Sequence, residues 1–319
     1  MTPTFHDIQE AHKRIHSHIH NTPVLTCSSM NQMTDCSIFF KCENFQKAGA
    51  FKSRGACNVV FSLTDKEAKR GVVTHSSGNH AGALARAAQI RGINAYIVMP
   101  STAPEVKVAA VKEYGGQITF CKPTLQAREK TAEQVITKTG ASLVHPYNDV
   151  CIIEGQGTAA LELIQDVKNL DFLFAPVGGG GLLSGTAITT RALIPNCHVI
   201  GCEPKNADDA YRSKQAGHII PSENPQTIAD GLLTSLGDKT FPIIQDLVDD
   251  IILVTEEEIL RAMRTVWERM KIIIEPSAAV PLAAVFSNQL NLKGKRVGII
   301  FSGGNVDLSQ FFASLKKYD

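Results

Sequence analysis

Short apolar runs alternate along this chain with longer segments in which apolar residues recur every three to four positions. Between Gly71 and Pro146 the alternation predicts four strands separated by helices. This order is typical of a parallel sheet with crossover helices. The predicted strands are 71–75, 94–100, 117–121 and 142–146, and the predicted helices are 79–91, 104–114 and a third that ends near Thr139.

A second alternation follows and predicts a second α/β sheet. It begins with a helix around 156–165, and a later helix start is marked by Thr255 and three glutamates, since a hydroxyl cap and acidic residues favour a helix N-terminus. An active site is expected where loops at the carboxyl ends of the strands from the two sheets meet. The predicted strands are 171–178, 198–204, 250–255 and 296–303.

Composition and charge exclude several classes of protein. The 319 residues are 44% apolar, and 32 basic against 31 acidic side chains give a net charge of +1. Because no run of Lys or Arg interrupts this balance, we expect neither nucleic acid nor a membrane surface as a partner. No apolar stretch approaches the roughly 18 residues of a membrane span, so a cytoplasmic location is expected. The eight cysteines lack a C-x-x-C pair and predict free thiols.

The segment KAGAFKSRGA (47–56) places Lys52 at the start of a predicted helix. The helix dipole disfavours a cation there, which lowers the pKa of the amine and favours a nucleophilic role. Taken alone, an exposed surface lysine is the simpler interpretation.

Three loops at strand ends carry further candidate chemistry. HSSGNHAGALA (75–85) offers hydroxyls and helix N–H groups to a substrate carboxylate, although a capping turn explains it equally well. PVGGGGLLSG (176–185) places four glycines before a helix and is suited to a small phosphate, without the Lys-Ser/Thr of a nucleotide loop. FSGGNVDL (301–308) puts Ser302 where its hydroxyl could bond a ring nitrogen, and a serine in a turn is the alternative.

Taken in order, FKSRGA, SSGNH, GQGT (155–158), GGGG and SGGN resemble the serine/threonine dehydratase and serine racemase group of fold-type II enzymes that use pyridoxal 5′-phosphate (PLP). The resemblance extends from about Thr22 to Asp307. It implies a tryptophan synthase β-like α/β fold with two parallel-rich open sheets flanked by helices. A large PLP-binding domain would comprise 1–68 and 148–319, and a small domain would comprise 69–147.

The resemblance also implies roles for individual residues. Lys52 would be the Schiff-base lysine, and Ser77 would be the second catalytic residue on the opposite face of the cofactor. The implied cofactor contacts are Phe51, Lys52, Asn79, Tyr147, Gly178, Gly179, Gly180, Gly181, Leu182 and Ser302. The implied substrate contacts are Ser76, Ser77, Gly78, Asn79, His80 and Arg128.

Two further sites are implied by the same resemblance. EPKNADDAY (203–211) resembles a metal site in which Glu203, Asp209 and the carbonyl of Ala207 bind Mg²⁺ or Ca²⁺, and an exposed acidic helix start is the alternative. ATP would act as an activator at the interface of a homodimer, although Gly82 stands where animal members often have a glutamine and Ala48 offers only its backbone. The implied nucleotide contacts are Ser28, Ser29, Asn31, Lys47, Ala48, Tyr114, Lys271 and Asn305.

The expected reaction is racemisation of L-serine to D-serine, with elimination of serine to pyruvate and ammonia at the same site. A serine/threonine or hydroxyaspartate dehydratase is the alternative, favoured by Tyr147 and disfavoured by the metal segment. A catalytically inactive binding protein of the same fold is a third class, which the presence of Lys52, Ser77 and the four glycines disfavours.

Overall fold

The computed structural model describes residues 2–103 and 105–315 and contains two sheets. The larger sheet has the strand order β1-β2-β10-β7-β8-β9, and the smaller has the order β5-β4-β3-β6. The strands are β1 (Val24–Leu25), β2 (Ser37–Cys42), β3 (Val72–His75), β4 (Ala95–Pro100), β5 (Gln117–Cys121), β6 (Ser142–Leu143), β7 (Phe172–Pro176), β8 (His198–Pro204), β9 (Asp250–Val254) and β10 (Arg296–Phe301).

Helices connect the strands and cover the sheets. They are α1 (Phe5–Ile15), α2 (Ser28–Thr34), α3 (Lys52–Ser62), α4 (Asp65–Ala68), α5 (Asn79–Arg91), α6 (Glu105–Glu113), α7 (Leu125–Thr139), α8 (Val150–Asp166), α9 (Gly181–Leu193), α10 (Asp209–Ala216), α11 (Thr240–Leu247), α12 (Glu256–Met270), α13 (Pro276–Phe286) and α14 (Leu308–Leu315). Three short 3₁₀ turns lie at Glu43–Phe45, Lys47–Gly49 and Asp230–Leu232.

The larger sheet is parallel except for β1, which pairs antiparallel with β2. Its two faces are buried by different helices, as alternate side chains of β10 demonstrate. Ile299 and Phe301 pack in the core beneath α12 and α13, whereas Ile300 packs in the core beneath α8 and α9. This covering of both faces is typical of parallel sheets, and the predicted fold class is confirmed.

The smaller sheet is entirely parallel, and its strands lie between residues 72 and 143. The strands of the larger sheet lie in 24–42 and 172–301. These positions are compatible with the proposed division into 1–68 with 148–319 and 69–147, but the domain boundaries themselves remain a prediction.

Most predicted elements agree with the structure within a few residues. Thr255 caps α12 in a reciprocal capping box with Glu258, as its sequence indicates. The start predicted at Pro104 lies outside the described residues, and α6 is described from Glu105. The strand predicted at 142–146 is wrong beyond Leu143, where the chain leaves the sheet. All eight cysteines are free thiols, and six of them are buried.

Candidate active site

Three loops that carry predicted site residues leave the carboxyl ends of strands. They follow β3, β7 and β10, and parallel strands direct such loops to one edge of each sheet. The segment before α3 joins the loop after β10, because Phe51 N donates to Ser302 O at 2.9 Å and Ala50 forms an antiparallel bridge with Gly303. The AFKSRGA and SGGN motifs are therefore in direct contact.

Lys52 is the first residue of α3, and its amine is directed at the loop that follows β6. Nζ donates to Pro146 O at 2.8 Å and lies 5.0 Å from the ring centroid of Phe51. Burial lowers the pKa of Lys52 from 10.5 to about 8. A neutral amine is consequently available near neutral pH, as a nucleophile or base requires.

The four glycines form the turn between β7 and α9, and their backbone leaves no room for side chains. Gly180 has φ +87°, in the left-handed region that favours glycine. A Cβ at Gly179 would lie 2.2 Å from the Tyr147 ring, and one at Gly178 would lie 3.0 Å from the backbone of Leu232. The first N–H groups of α9 lack partners within the helix, so this turn can hold a phosphate.

Three of these groups have chemistry that is complementary to PLP. The glycine turn provides helix N–H groups on a backbone that protein neighbours pack too closely for a Cβ, Lys52 provides a half-buried amine with a lowered pKa, and buried Ser302 provides a neutral hydroxyl at the end of β10. Phosphate, aldehyde and ring nitrogen of the cofactor each have a partner of suitable chemistry. The site fits the cofactor.

A buried carboxyl, Glu275, was missed by sequence reasoning. Asn79 Nδ2 donates to Glu275 Oε1 at 2.9 Å and Oε2 at 3.0 Å, and Asn79 Oδ1 accepts from Asn305 Nδ2 at 2.9 Å. A Cβ at Gly303 would lie 2.7 Å from Glu275 Oε1, so this glycine leaves space for the carboxyl. Glu275 precedes α13, and its sequence position suggested only a helix start.

Burial raises the pKa of Glu275 from 4.5 to about 7. An acid whose pKa is higher in the folded state stabilises the fold below pH 4.5 and loses that contribution as pH rises through 7. The full change is on the order of 3 kcal/mol. We expect Glu275→Gln to flatten the decline of Tm between pH 5 and 8 in cofactor-free protein, as followed by calorimetry. Parallel Tm profiles for the variant and the wild type would contradict this assignment.

His145 shapes the loop that faces Lys52. Its Nδ1 accepts the backbone N–H of Tyr147 at 3.4 Å and of Asn148 at 2.9 Å. This arrangement requires an unprotonated Nδ1, and burial lowers the pKa of His145 to about 4. The turn places Pro146 O on Lys52 and the Tyr147 ring on the glycine turn. Sequence reasoning assigned His145 to a strand and missed this role.

The predicted substrate residues lie around the start of α5. Ser76, Ser77 and Gly78 form the loop from β3, Asn79 begins α5, and His80 is buried with Nε2 3.3 Å from Val144 O. Arg128 lies on α7. Burial, and secondarily the charge of Arg128, lower the pKa of His75 at the end of β3. Arg128 is thus close enough to act on His75 electrostatically, at the end of β3 where the predicted carboxylate loop begins.

The predicted metal ligands lie together at the end of β8 and the start of α10. Glu203 accepts from the N–H groups of Ala210 and Tyr211, at 3.0 and 2.9 Å. Both carboxylate oxygens of Asp209 are buried, and the Ser222 side chain lies close to them. Burial raises the pKa of Asp209 to about 6 and that of Glu203 well above its usual range. Two enclosed carboxylates with spare oxygens fit a hard divalent cation.

The predicted nucleotide residues are only partly brought together. Ala48, Tyr114 and Asn305 line a cavity of about 1110 Å³ beside Asn79. Ser28, Ser29, Lys47 and Lys271 are not among its lining residues, and Asn31 Oδ1 accepts the backbone N–H of Ile38.

None of the helices within 2–103 and 105–315 combines the length and the apolar character that crossing a bilayer requires.

The family model described as "Pyridoxal-phosphate dependent enzyme" matches residues 15–303. The chain is 55% identical to serine racemase of Dictyostelium discoideum over 313 residues, which cover 97% of this chain and 96% of the relative. It is 50% identical to beta-hydroxyaspartate dehydratase of Paracoccus denitrificans over 308 residues, with 97% and 98% covered.

A solved structure extends this similarity to the fold. The structure of maize serine racemase superposes with a TM-score of 0.96 at 46% identity, covering all of this chain and 98% of that one.

Proposed function

Since the chain belongs to the family of pyridoxal-phosphate dependent enzymes, we propose that it interconverts L-serine and D-serine and also converts serine to pyruvate and ammonia. The full-length similarity to serine racemases carries this proposal. The chemistry of Lys52 and of the SSGNH loop supports it.

When bound, PLP supplies an electron sink for the bond that breaks at the substrate Cα. In our proposal the N–H groups of the glycine turn, from Gly178 to Leu182, hold its phosphate. Phe51, Asn79 and Tyr147 would contact its ring, Lys52 would form the covalent link, and Ser302 would meet the ring nitrogen. The loop 76–80 binds the substrate carboxylate through N–H groups and hydroxyls, and Arg128 closes over the substrate from α7.

Two residues act as acid and base on opposite faces of the substrate Cα. Lys52 Nζ removes the α-proton of L-serine, and its pKa of about 8 keeps part of the amine neutral near neutral pH. Ser77 Oγ delivers a proton to the other face, and the same two groups exchange roles for D-serine. The neutral hydroxyl of Ser302 would leave the ring nitrogen with less positive charge than an aspartate would. Loss of the β-hydroxyl therefore competes with proton return.

The test incubates purified protein and PLP with L-serine and measures D-serine and pyruvate in the same samples. Both products should appear, and D-serine as the starting substrate should yield L-serine and pyruvate. Pyruvate without D-serine would overturn the racemase assignment, and neither product would overturn the whole proposal.

A hydroxyaspartate or serine/threonine dehydratase is the second candidate. The similarity to the Paracoccus dehydratase favours it, and so does Tyr147, because its loop HPYND (145–149) resembles the dehydratase-like loop. Comparing kcat/KM for elimination of 3-hydroxyaspartate, threonine and serine, together with D-serine formation, separates the two functions.

The carboxylates of Glu203 and Asp209, with the carbonyl of Ala207, are proposed to bind Mg²⁺ or Ca²⁺. An ion that binds only the folded state stabilises it by about 2.7 kcal/mol at 100 times its Kd. We therefore expect a chelator to lower Tm by roughly 5 °C and to reduce the reaction rate. Calorimetry and activity measured with and without added ion provide the check.

Glu203→Gln should remove the response to chelator. The matched control is Asp208→Asn, because Asp208 is the neighbouring carboxyl but pairs with Arg212 Nε at 2.7 Å. It should respond like the wild type. Equal responses of wild type and Glu203→Gln would exclude the metal site.

The cavity beside Asn79 is proposed to take ATP as an activator in a homodimer. Tyr114 offers a stacking surface and Asn305 an amide that already bonds Asn79. Activation by ATP should be lost in Tyr114→Ala while cofactor binding persists, and sedimentation should give the mass of a dimer. An unchanged response to ATP in the variant would contradict the site.

A further inference from the structure

Arg54 is enclosed in a fully bonded charged cluster beside the active site. We use the name arginine cluster for Arg54, Glu43, Glu162, Lys41 and Thr158, which are all buried. Arg54 makes five hydrogen bonds, the number of its N–H groups: two to Glu43 at 2.7 and 2.8 Å, two to Glu162 at 2.8 and 2.6 Å, and one to Thr158 Oγ1 at 3.1 Å. The guanidinium is thus fixed in position and in orientation.

The charges of the arginine cluster balance. Lys41 Nζ lies 2.8 Å from Glu162 Oε2, so two cations face two carboxylates. Buried ion pairs add little net stability compared with well-packed apolar groups, because desolvation offsets their attraction. The gain in stability is therefore a weak explanation for burying five polar side chains here. Their fixed geometry is the stronger explanation.

The fixed position of Arg54 affects Lys52 because both residues lie in the first turn of α3. Arg54 ties that turn to Glu43, which follows β2, and to Glu162 on α8. The turn also approaches α8 closely, since a Cβ at Gly155 would lie 2.6 Å from Gly55 Cα. Gly155 and Thr158 both belong to GQGT, the motif without a role in the proposed mechanism. α3 is thus held through charge and through close backbone contact.

We propose that Arg54 is a positioning residue that fixes the first turn of α3 and so sets where Lys52 Nζ meets the cofactor. The proposal rests on the cofactor-bearing role of Lys52 and is independent of which amino acid is the substrate. A displacement of about 1 Å at a reacting group costs up to about 10²-fold in rate. The bidentate contacts of Arg54 explain why a lysine would not replace it, since an ammonium is a point donor without the planar fork.

Lys41 provides a matched control within the same cluster. It is equally buried and binds the same carboxylate of Glu162, but it lies on β2 and not on α3. Lys41→Met removes one buried cation from the arginine cluster and should lower the stability of the protein without moving Lys52. Arg54→Lys keeps the charge, and Thr158→Val removes one acceptor of Arg54 while keeping the side-chain shape.

The test measures how fast PLP attaches to Lys52 in each cofactor-free variant, well below its Tm. Samples are quenched with borohydride and Lys52 is quantified by peptide mapping. Relative to the wild type, we expect attachment of PLP to be at least about tenfold slower in Arg54→Lys and slowed to a smaller extent in Thr158→Val. In Lys41→Met it should be slowed by less than about threefold. kcat should fall in the same order, with KM changed less than kcat.

Attachment in Arg54→Lys as fast as in Lys41→Met would overturn the positioning role and leave a purely structural cluster. If Arg54→Lys did not fold, Thr158→Val would decide, since a rate equal to that of Lys41→Met overturns the role and a slower rate supports it. Absence of both serine products in the wild type would refute the proposed function, yet the attachment rates would still decide the role of Arg54.

Discussion

Lys52→Ala is expected to abolish racemisation and elimination together, with a loss of at least about 10⁴-fold in kcat. Both reactions need the amine that links the cofactor and removes the α-proton of L-serine. The position of the amine supports this double role, because Nζ lies 2.8 Å from Pro146 O and burial lowers the pKa of Lys52 to about 8. Activity assays for D-serine and pyruvate provide the measurement.

Two controls make this result specific. Borohydride reduction of the wild-type protein with PLP, followed by peptide mapping, should place the cofactor on Lys52, and label on another lysine would refute the assignment. Lys52→Arg retains a cation at the start of α3 but remains protonated, since the arginine pKa exceeds about 12. It should be as inactive as Lys52→Ala. Activity of this variant near the wild-type level would also contradict the role.

Ser77→Ala is expected to separate the reactions of the two enantiomers. If Ser77 serves the face opposite Lys52, the variant should lose racemisation in both directions and elimination of D-serine. Elimination of L-serine should persist in substantial part, because Lys52 takes its α-proton. A general acid or base contributes about 10²–10⁴-fold, which sets the expected loss.

Ser76→Ala is the matched control for Ser77, since Ser76 lies in the same loop and its Oγ accepts a long 3.4 Å bond from Gly78 N. Because its hydroxyl is proposed to bind the substrate carboxylate, its four rates should fall together, without separating the two enantiomers. An absorbance spectrum must first establish that each variant binds PLP. Uniform loss of all four reactions in Ser77→Ala would mean that Ser77 only maintains the shape of the loop. Retained racemisation would contradict the mechanism with two bases.

Sequence reasoning succeeded where local chemistry specifies the structure. The helix predicted at 79–91 matches α5, because a polar loop precedes its first turn and Gly92 ends it in the left-handed region with φ +72°. The glycine run similarly predicted a tight turn before a helix, and the structure has α9 there. Each of these signals lies within a few residues of the element that it determines.

The parts that escaped prediction depend on distant partners. Asn79 and Glu275 are 196 residues apart in the chain, and the partner of Arg54 on α8, Glu162, is 108 residues away. The β-like run 142–146 ends early because His145 accepts two backbone N–H groups and turns the chain. No periodic pattern encodes such contacts, so the carboxyl at the cofactor site and the arginine cluster required the structure.

Because β10 lies between β2 and β7, the larger sheet cannot be completed on the ribosome until β10 has been synthesised. β10 pairs with β2 on one side and with β7 on the other, although it follows both of them, and every other described strand, in the sequence. Until it emerges, β2 and β7 have no neighbour between them, and Ser302 cannot meet Phe51. Strand pairing over such a separation in sequence is slow. A chain that lacks β10 therefore carries Lys52 without its pocket, and cofactor capture awaits the synthesis of β10.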